Sequence, residues 1–232
     1  MSGLSVITCT GGRPEAFALL EGWISRQSYT GDIQWIVIDD CDPPTVPLFG
    51  QEVIRPVPSW KPGQITLGRN LTCALDYVKY DKIVFCEDDE AYLPDYLKLM
   101  DQMLDTADLA GEIPARYYNV RQRMFRVLDN RNHASLCQTG MRSDLIPRLR
   151  YLCTSQSPFI DMRLWEPIPD VRYLLVPTAQ VVSIKGLPGR PGIGIGHRPH
   201  GDWKKDPVLA QLRAWIGADA DLYVNFTNEV LV

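Results

Sequence analysis

Residues 82–90 read K-I-V-F-C-E-D-D-E, so a short buried strand runs straight into four consecutive acids. Four neighbouring carboxylates repel one another, and a hard divalent cation such as Mg²⁺ or Mn²⁺, which prefers oxygen ligands, would relieve that repulsion. A solvated acidic turn is the alternative. Ligand sites gather where the strands of an alternating α/β sheet end, and we therefore interpret the cluster as functional.

Strands and helices alternate on both sides of this segment. Strands are predicted at 4–10, 33–39 and, briefly, 52–56, and helices at 15–27, 65–80 and 94–106. β-branched runs mark the strands, and apolar residues at helical spacing mark the helices. The alternation predicts an α/β fold with a mostly parallel central sheet flanked by helices.

The second half of the chain is less regular. It has strand character at 115–127, 171–176 and 180–184, and helical patterns at 143–152, 158–165, 207–215 and 218–230. Residues 186–203 hold six glycines and three prolines, which predicts a long mobile loop. No repeat or linker interrupts the chain, so we expect one domain over 1–232 whose character changes near residue 110.

Composition narrows the class of protein. Apolar residues make up 45% of the 232 and charged residues 22%, which excludes wholesale disorder. We see no run approaching the ~20 apolar residues of a membrane span, and no signal peptide. The six cysteines are never closer than 13 residues, which excludes a CxxC zinc or redox motif and favours reduced thiols in a cytoplasmic protein.

The formal charge of −4 hides an asymmetry. Residues 1–110 carry 8 Lys and Arg against 17 Asp and Glu, whereas residues 111–232 carry 16 against 11. Scatter over a solvated surface explains such a split as well as two oppositely charged sites do, so the charges have to be tied to particular residues.

Two further motifs accompany the acidic cluster. Asp39 and Asp40 end a predicted strand, where a carboxylate can accept hydrogen bonds from a nucleobase or a ribose hydroxyl. The alternative is an Asx-type turn before Pro43. Arg69, in Gly68-Arg69-Asn70 near a helix start, suits a carboxylate or a diphosphate, or is an ordinary exposed helical arginine.

In this order and spacing the motifs resemble the family-2 glycosyltransferases with the GT-A fold. The matching segments are T-C-T-G-G-R-P at 8–14, V-I-D-D at 37–40, G-R-N at 68–70 and E-D-D at 87–89, the last corresponding to the family's Asp-x-Asp metal motif. The resemblance covers about residues 4–100. The chain departs from the pattern with Glu87 as the first acid and with Cys41-Asp42-Pro43 where Gly-Ser is common.

The resemblance implies a metal-dependent transfer of a sugar from a nucleotide-diphosphate sugar to an acceptor hydroxyl, with inversion. Residues 1–110 would form the donor half and 111–232 the acceptor half. Asp39 would contact the base, Arg69 would support the nucleotide end, and Asp89 would be the main ligand of Mn²⁺ or Mg²⁺. The expected donor-binding residues are Thr10, Arg13, Asp39, Asp40, Arg69, Asp88, Lys185 and Arg190, and the expected metal ligands are Glu87, Asp89 and His197.

Inversion needs a general base for the acceptor hydroxyl. The family places an acid before an apolar helical stretch, and the matching residue is Asp161 in P-F-I-D-M-R-L-W at 158–165. The family's preceding glutamate is Ile160 here. A helix-terminal carboxylate, or an ion-pair partner of Arg163, is the alternative.

The glycine-rich loop holds His197 and His200 among several cations, including Lys185 and Arg190. A basic loop of this composition could close over a diphosphate, with one histidine ligating metal or phosphate. The chain has no P-loop, no G-x-G-x-x-G after the first strand and no G-x-S-x-G elbow.

Residues 114–150 contain eight arginines against two aspartates, with aromatic residues interleaved. This suits an anionic acceptor: a hydroxymethylated DNA base, or a phosphate-bearing or acidic glycan. A solvated strand face is the alternative. The candidate acceptor contacts are Arg116, Tyr117, Arg121 and Arg123.

Two other functions remain open from the sequence. A sugar nucleotidyltransferase shares this architecture but usually opens with a glycine-rich basic loop, of which 11–14 is a poor version. A non-catalytic nucleic-acid or glycan-binding module is disfavoured by the intact acidic cluster. The sequence does not indicate an oligomeric state.

Overall fold

Two β-sheets organise the chain in the computed structural model, which describes residues 3–49, 51–154, 159–190, 192 and 194–227. The strands are β1 Gly3–Thr10, β2 Asp32–Asp39, β3 Glu52–Ile54, β4 Lys82–Phe85, β5 Glu90–Tyr92, β6 Leu109–Glu112, β7 Ala115–Asn119, β8 Met124–Leu128, β9 Thr139–Arg142, β10 Tyr173–Val176, β11 Val181–Lys185 and β12 Lys204–Lys205. The helices are α1 Pro14–Ile24, α2 Leu67–Ala74, α3 Tyr96–Met103, α4 Ile146–Thr154, α5 Ile160–Leu164 and α6 Ala210–Ile216. Short 3-10 segments cover 136–138, 143–145, 195–197 and 217–227.

The larger sheet has seven strands in the order β10-β6-β9-β4-β1-β2-β3. All its pairings are parallel except those of β9, which runs antiparallel to both β4 and β6. The predicted fold class, a mostly parallel sheet flanked by helices, is confirmed. Because β1, β2 and β4 are parallel, their carboxyl ends meet at one edge, where Thr10 lies beside Asp39.

Alternation along the strands builds a core on each face of this sheet. Leu4 and Val6 of β1 pack with α1, α3 and the second sheet, whereas Ile7 packs with α2, α4 and α5. In β4, Val84 joins the first core and Phe85 the second. The central strands are therefore covered on both faces, which fits their nearly continuous apolar sequences.

The second sheet was not predicted. Its five strands lie in the order β12-β8-β7-β11-β5, and it shares the first core with α1 and α6. Where the sequence indicates one strand at 115–127, the structure has a hairpin, β7 and β8, with Arg123 at a left-handed φ of 48°. Glu90, assigned to the acidic turn, is the first residue of β5 and pairs with β11.

Several helices are shorter than predicted. The 65–80 helix ends at Ala74 and gives way to tighter turns, in which the amides of Asp76 and Tyr77 donate to the carbonyls three residues earlier. The amides of Lys79 and Tyr80 then donate to Gln34 and Ser5 as the chain enters β4. The 207–215 helix starts at Ala210, and the carboxylate of Asp206 accepts from the amides of its first turn. The predicted helix at 218–230 is a 3-10 segment as far as residue 227, and 228–230 lie outside the described residues.

Among the residues that the structure describes, none of the helices has the length and apolar character needed to cross a lipid bilayer.

Candidate active site

A cavity of about 570 Å³ opens at the carboxyl ends of β1 and β4. Both halves of the chain contribute to its walls. Nine predicted site residues line it: Thr10, Arg13, Glu87, Asp89, Tyr117, Asp161, Lys185, Arg190 and His197. The cavity also includes residues to which the sequence assigned no role. Asn70 and Glu90 belong to the quoted motifs, and the others are Trp60, Thr66, Ser135, Cys137, Ser183 and Arg198.

Asp88 holds the acidic turn in place. Its side chain is buried, accepts a hydrogen bond from the Thr10 hydroxyl at 2.7 Å, and forms an ion pair with Arg13 at 2.7 Å. The residue does not line the cavity, and both its oxygens contact protein groups. The sequence predicted a donor contact at Asp88; in the structure this side chain ties the turn after β1 to the turn after β4.

Asp89 faces the cavity and is surrounded by cationic groups. Its oxygens lie 3.0 Å from Arg13 Nη1, 3.0 Å from Lys185 Nζ and 3.3 Å from His197 Nε2. Burial acts to raise the pKa of this carboxyl, but Lys185 and Arg13 hold it well below its usual range. Asp89 is therefore a fixed anion that joins the acidic turn to β11 and to the late loop.

Glu87 and Glu90 are the less compensated acids of the cluster. Burial, together with the neighbouring carboxylates, raises the pKa of Glu87 to about 8 and that of Glu90 to about 7. Lys185 Nζ lies 2.5 Å from Glu90 Oε1, while Glu90 Oε2 is buried with no hydrogen-bond partner in the described part of the chain. Four carboxylates thus face two permanent cations, Arg13 and Lys185.

A divalent cation would balance the negative charge that the four carboxylates carry when all are ionised, and would lower the raised pKa values of Glu87 and Glu90. Asp89 Oδ2 and His197 Nε2 are 3.3 Å apart, close to the ~3 Å between adjacent ligands of an octahedral Mg²⁺ with ligand distances of about 2.1 Å. Glu87, Glu90 and Cys137 form a second group, with ligand atoms within 4.8 Å of one another. That group suits a hard cation less well, since burial raises the pKa of the Cys137 thiol well above its usual range and keeps it protonated.

Asp40 organises the opposite wall of the cavity. Its carboxylate contacts the Thr66 hydroxyl, the Asn70 amide, and the guanidinium groups of Arg69 and Arg190. Burial acts to raise the pKa of Asp40, but the hydrogen bonds from Thr66 and Asn70, followed by the charge of Arg190, lower it below the usual value. Asp40 therefore fixes the start of α2 rather than pointing free into the cavity.

Two predicted nucleotide contacts lie away from the cavity wall. Asp39 is fully buried and accepts hydrogen bonds from the backbone amides of Cys41 and Thr45, which is the turn alternative before Pro43. Arg69 donates to Asp40 and to the carbonyl of Pro58. Both side chains are occupied by local structure.

Arg190 anchors the late loop to the donor half. It pairs with Asp40 at 2.7 Å, donates to Thr66, and stacks 4.4 Å above the centre of the Trp60 ring. Its backbone amide donates to the carbonyl of Gly12. A Cβ on Gly189 would lie 2.2 Å from that same carbonyl, so the close approach requires glycine. The loop is thus docked across the cavity.

His197 and His200 have different positions. His197 is the last residue of the 3-10 turn at 195–197 and lines the cavity beside Asp89. His200 is exposed, and its Nδ1 lies 2.9 Å from the carbonyl of Arg198. Of these two histidines, only His197 lines the cavity. Residues 191 and 193 of this loop lie outside the described residues.

Asp161 lies in the first turn of α5 and reaches the cavity from the second half of the chain. Its Oδ1 accepts a hydrogen bond from the amide of Met162. The apolar neighbourhood predicted for it is incomplete, because Phe159 and Met162 are 59% and 49% exposed. The carboxylate therefore lies in a partly exposed stretch of the cavity wall.

Of the predicted acceptor contacts, only Tyr117 lines the cavity. Arg116, the preceding residue on β7, projects to the other face of the sheet and stacks 5.5 Å from the Trp215 ring. Arg123 donates to the carbonyl of Pro207. Arg121 is exposed next to the β7–β8 turn. The arginines of this segment therefore lie on both faces of the second sheet, because successive side chains of a strand point to opposite faces.

Comparison with known structures identifies the architecture. S. aureus TarS superposes with a TM-score of 0.56 at 14% identity, covering 79% of this chain and 37% of that one. TarS 1–349 in complex with UDP-GlcNAc gives 0.56 at 13% identity, covering 86% and 62%. The fold is GT-A-like.

A third structure, TarS 1–349 in complex with UDP, gives a TM-score of 0.57 at 14% identity and covers 79% of this chain and 60% of that one. The chain therefore spans between 37% and 62% of the length of these TarS structures. No protein-family model matches the sequence, and no curated protein matches it either. At these identities the likeness concerns the fold.

Proposed function

We propose that the protein is a glycosyltransferase that moves a sugar from a nucleoside-diphosphate sugar to an acceptor hydroxyl. The observation that carries the proposal is the cavity at the strand ends, where Asp89 and His197 lie side by side and Asp161 enters from the opposite half. In open α/β sheets ligands bind at this edge. The TarS structures that share the fold hold UDP and UDP-GlcNAc.

The donor would lie along the wall between Trp60 and Asp89. Trp60, Thr66 and Asn70 line this wall, where their contacts with Arg190 and Asp40 would hold them in place against a nucleoside. Arg198 is an exposed cavity residue, so its guanidinium is available to a diphosphate, whereas Lys185 and Arg190 are paired with carboxylates. We therefore propose Arg198, rather than the sequence-predicted Lys185 and Arg190, as the residue that contacts the diphosphate.

Asp89 and His197 would hold a divalent cation. When bound, such an ion neutralises the charge that develops on the leaving diphosphate. The chain's own groups prepare the site for this: Arg13 and Lys185 hold Asp89 in place, and the docked loop brings His197 beside it.

Asp161 would act as the general base. The acceptor oxygen attacks the anomeric carbon, its proton passes to a carboxylate oxygen of Asp161, and the bond between the anomeric carbon and the diphosphate oxygen breaks. The nucleoside diphosphate leaves with the bonding electron pair. Attack from the face opposite the leaving group inverts the anomeric carbon.

Thermal unfolding in the presence of nucleotides tests the proposal. We expect one of UDP, GDP or TDP to raise the melting temperature in 1 mM Mn²⁺, and its sugar conjugate to be hydrolysed slowly. An NTP that stabilises the protein while every diphosphate fails would favour a sugar nucleotidyltransferase. If none of these nucleotides stabilises the protein, with or without metal, the proposal is wrong.

A further inference from the structure

The face of the second sheet that lines the cavity continues outward beyond it. Residues directly opposite one another on neighbouring strands share a face. The registers give two rows across the sheet: Ser183, Tyr117 and Arg126, and Lys185, Asn119, Met124 and Lys205. Ser183, Lys185 and Tyr117 line the cavity, so Arg126 and Lys205 lie on the same face farther out.

This outer region, which we call the basic face, consists of Arg126 and Lys205. Arg198 lies at the cavity, and the loop that carries it crosses the sheet where Asn119 donates to the carbonyl of Gly196. Arg198 and Lys205 are exposed. Arg126 pairs with Asp202 at 3.2 Å, which is the one ion pair recorded for the basic face within the described chain. The basic face therefore keeps a net positive charge.

Two buried N–H donors beside this row lack an acceptor. Neither Arg126 Nε nor Trp203 Nε1 has a hydrogen-bond partner among the described residues, and Trp203 is only 6% exposed. The Trp203 ring lies 6.5 Å from the ring of Tyr117, which places it next to the cavity. A buried donor left unsatisfied is energetically unfavourable, and an anionic oxygen from a ligand would supply the missing acceptor.

We propose that the basic face binds the backbone of the acceptor and that the acceptor is a single-stranded nucleic acid. This rests on the proposed function, because it identifies the face leading to Asp161 as the acceptor side. Arginine guanidinium groups match phosphate oxygens in geometry, and the half-buried ring of Tyr117 offers a surface for an unstacked base. A single strand can place one hydroxyl-bearing unit in the cavity without breaking a duplex.

Fluorescence anisotropy with a labelled 20-nucleotide single-stranded DNA of mixed sequence tests this. We expect binding that weakens as salt rises, as it does when phosphates displace their counterions. The double variant Arg126→Gln/Lys205→Gln should weaken binding at least tenfold. The matched control Lys79→Gln/Lys98→Gln removes the same charge from two exposed lysines elsewhere and should change binding less than twofold.

Three results would overturn the proposal. The first is no binding of the oligonucleotide by the wild type, and the second is an equal loss of affinity in both double variants. The third is displacement of the labelled oligonucleotide by polygalacturonate, a carboxylate glycan, at a lower concentration than unlabelled oligonucleotide requires. Binding of a nucleoside diphosphate is measured on the same samples. A wild type that binds the oligonucleotide but no nucleotide contradicts the proposed function alone. A wild type that binds the nucleotide but no oligonucleotide contradicts this inference alone.

Discussion

At the scale of one residue, the sequence predicted Asp89 as a site residue but did not predict its ion-pair partners. Its position after a buried strand identified it as a site residue. Its partners were not recognisable, because Lys185 lies 96 positions away and Arg13 lies 76 positions away. Only the fold brings β11 and the turn after β1 to the same carboxylate.

Lys185→Met should destabilise the protein. The substitution leaves Asp89 without one of its cations and Glu90 without the ammonium that pairs with Oε1. Breaking a buried pair by removing one partner costs about 3–5 kcal/mol. We expect a lower denaturation midpoint in urea without metal, and a larger rise in melting temperature on adding Mn²⁺ than the wild type shows. An unchanged midpoint would contradict the assigned ion pairs.

Asp161→Asn should remove transfer and spare donor binding. The residue lines the cavity, and the proposed function assigns it to the acceptor hydroxyl rather than to the nucleotide. General-base catalysis contributes about 10²–10⁴-fold, so turnover should fall by that factor while the dissociation constant of the nucleoside diphosphate stays within twofold.

The control for Asp161 is Glu166→Gln, which neutralises an exposed acid five residues away. It should leave turnover unchanged. Full activity in Asp161→Asn would assign the base to another group.

At the scale of the element, β1 to β4 and α1 to α3 were predicted, whereas β5, β6, β9 and β12 were not. The strands β6 and β9 read L-A-G-E and T-G-M-R, too short and too glycine-rich to show alternation. Their glycines are explained by packing: a Cβ on Gly111 would meet Ala134 and Trp165 at 2.5 and 2.7 Å. Contacts this remote in sequence leave no local signal.

Alanine substitutions at two helical glycines should change the stability of the protein in opposite directions. A Cβ on Gly68 would lie 2.7 Å from the backbone carbonyl of Cys153, so α2 and α4 would have to move apart. We expect Gly68→Ala to destabilise the protein by about 1–3 kcal/mol. A Cβ on Gly22 in α1 meets nothing within 4 Å. Gly22→Ala should stabilise it by about 0.5–1 kcal/mol, because glycine is unfavourable within helices. Chemical denaturation measures both, and equal effects of the same sign would contradict the described packing.

At the scale of the whole molecule, the charge asymmetry has a structural meaning. Acids of the first half meet cations of the second across the cavity, with Asp89 and Glu90 paired to Lys185, and Asp40 paired to Arg190. The Lys185 pairs join β11 to the acidic turn, and the Arg190 pair holds the late loop beside the site that the strand ends form. The sequence predicted oppositely charged halves, and the fold shows that they meet.

The central claim is that a nucleoside diphosphate and a divalent cation bind in this cavity. A crystal structure with UDP and Mn²⁺ tests it most directly, because anomalous scattering locates the metal independently of the nucleotide. The account predicts a manganese peak bounded by Asp89 and His197, with the diphosphate in the same cavity. Nucleotide density elsewhere on the molecule, or a manganese ion that contacts neither residue, would contradict it.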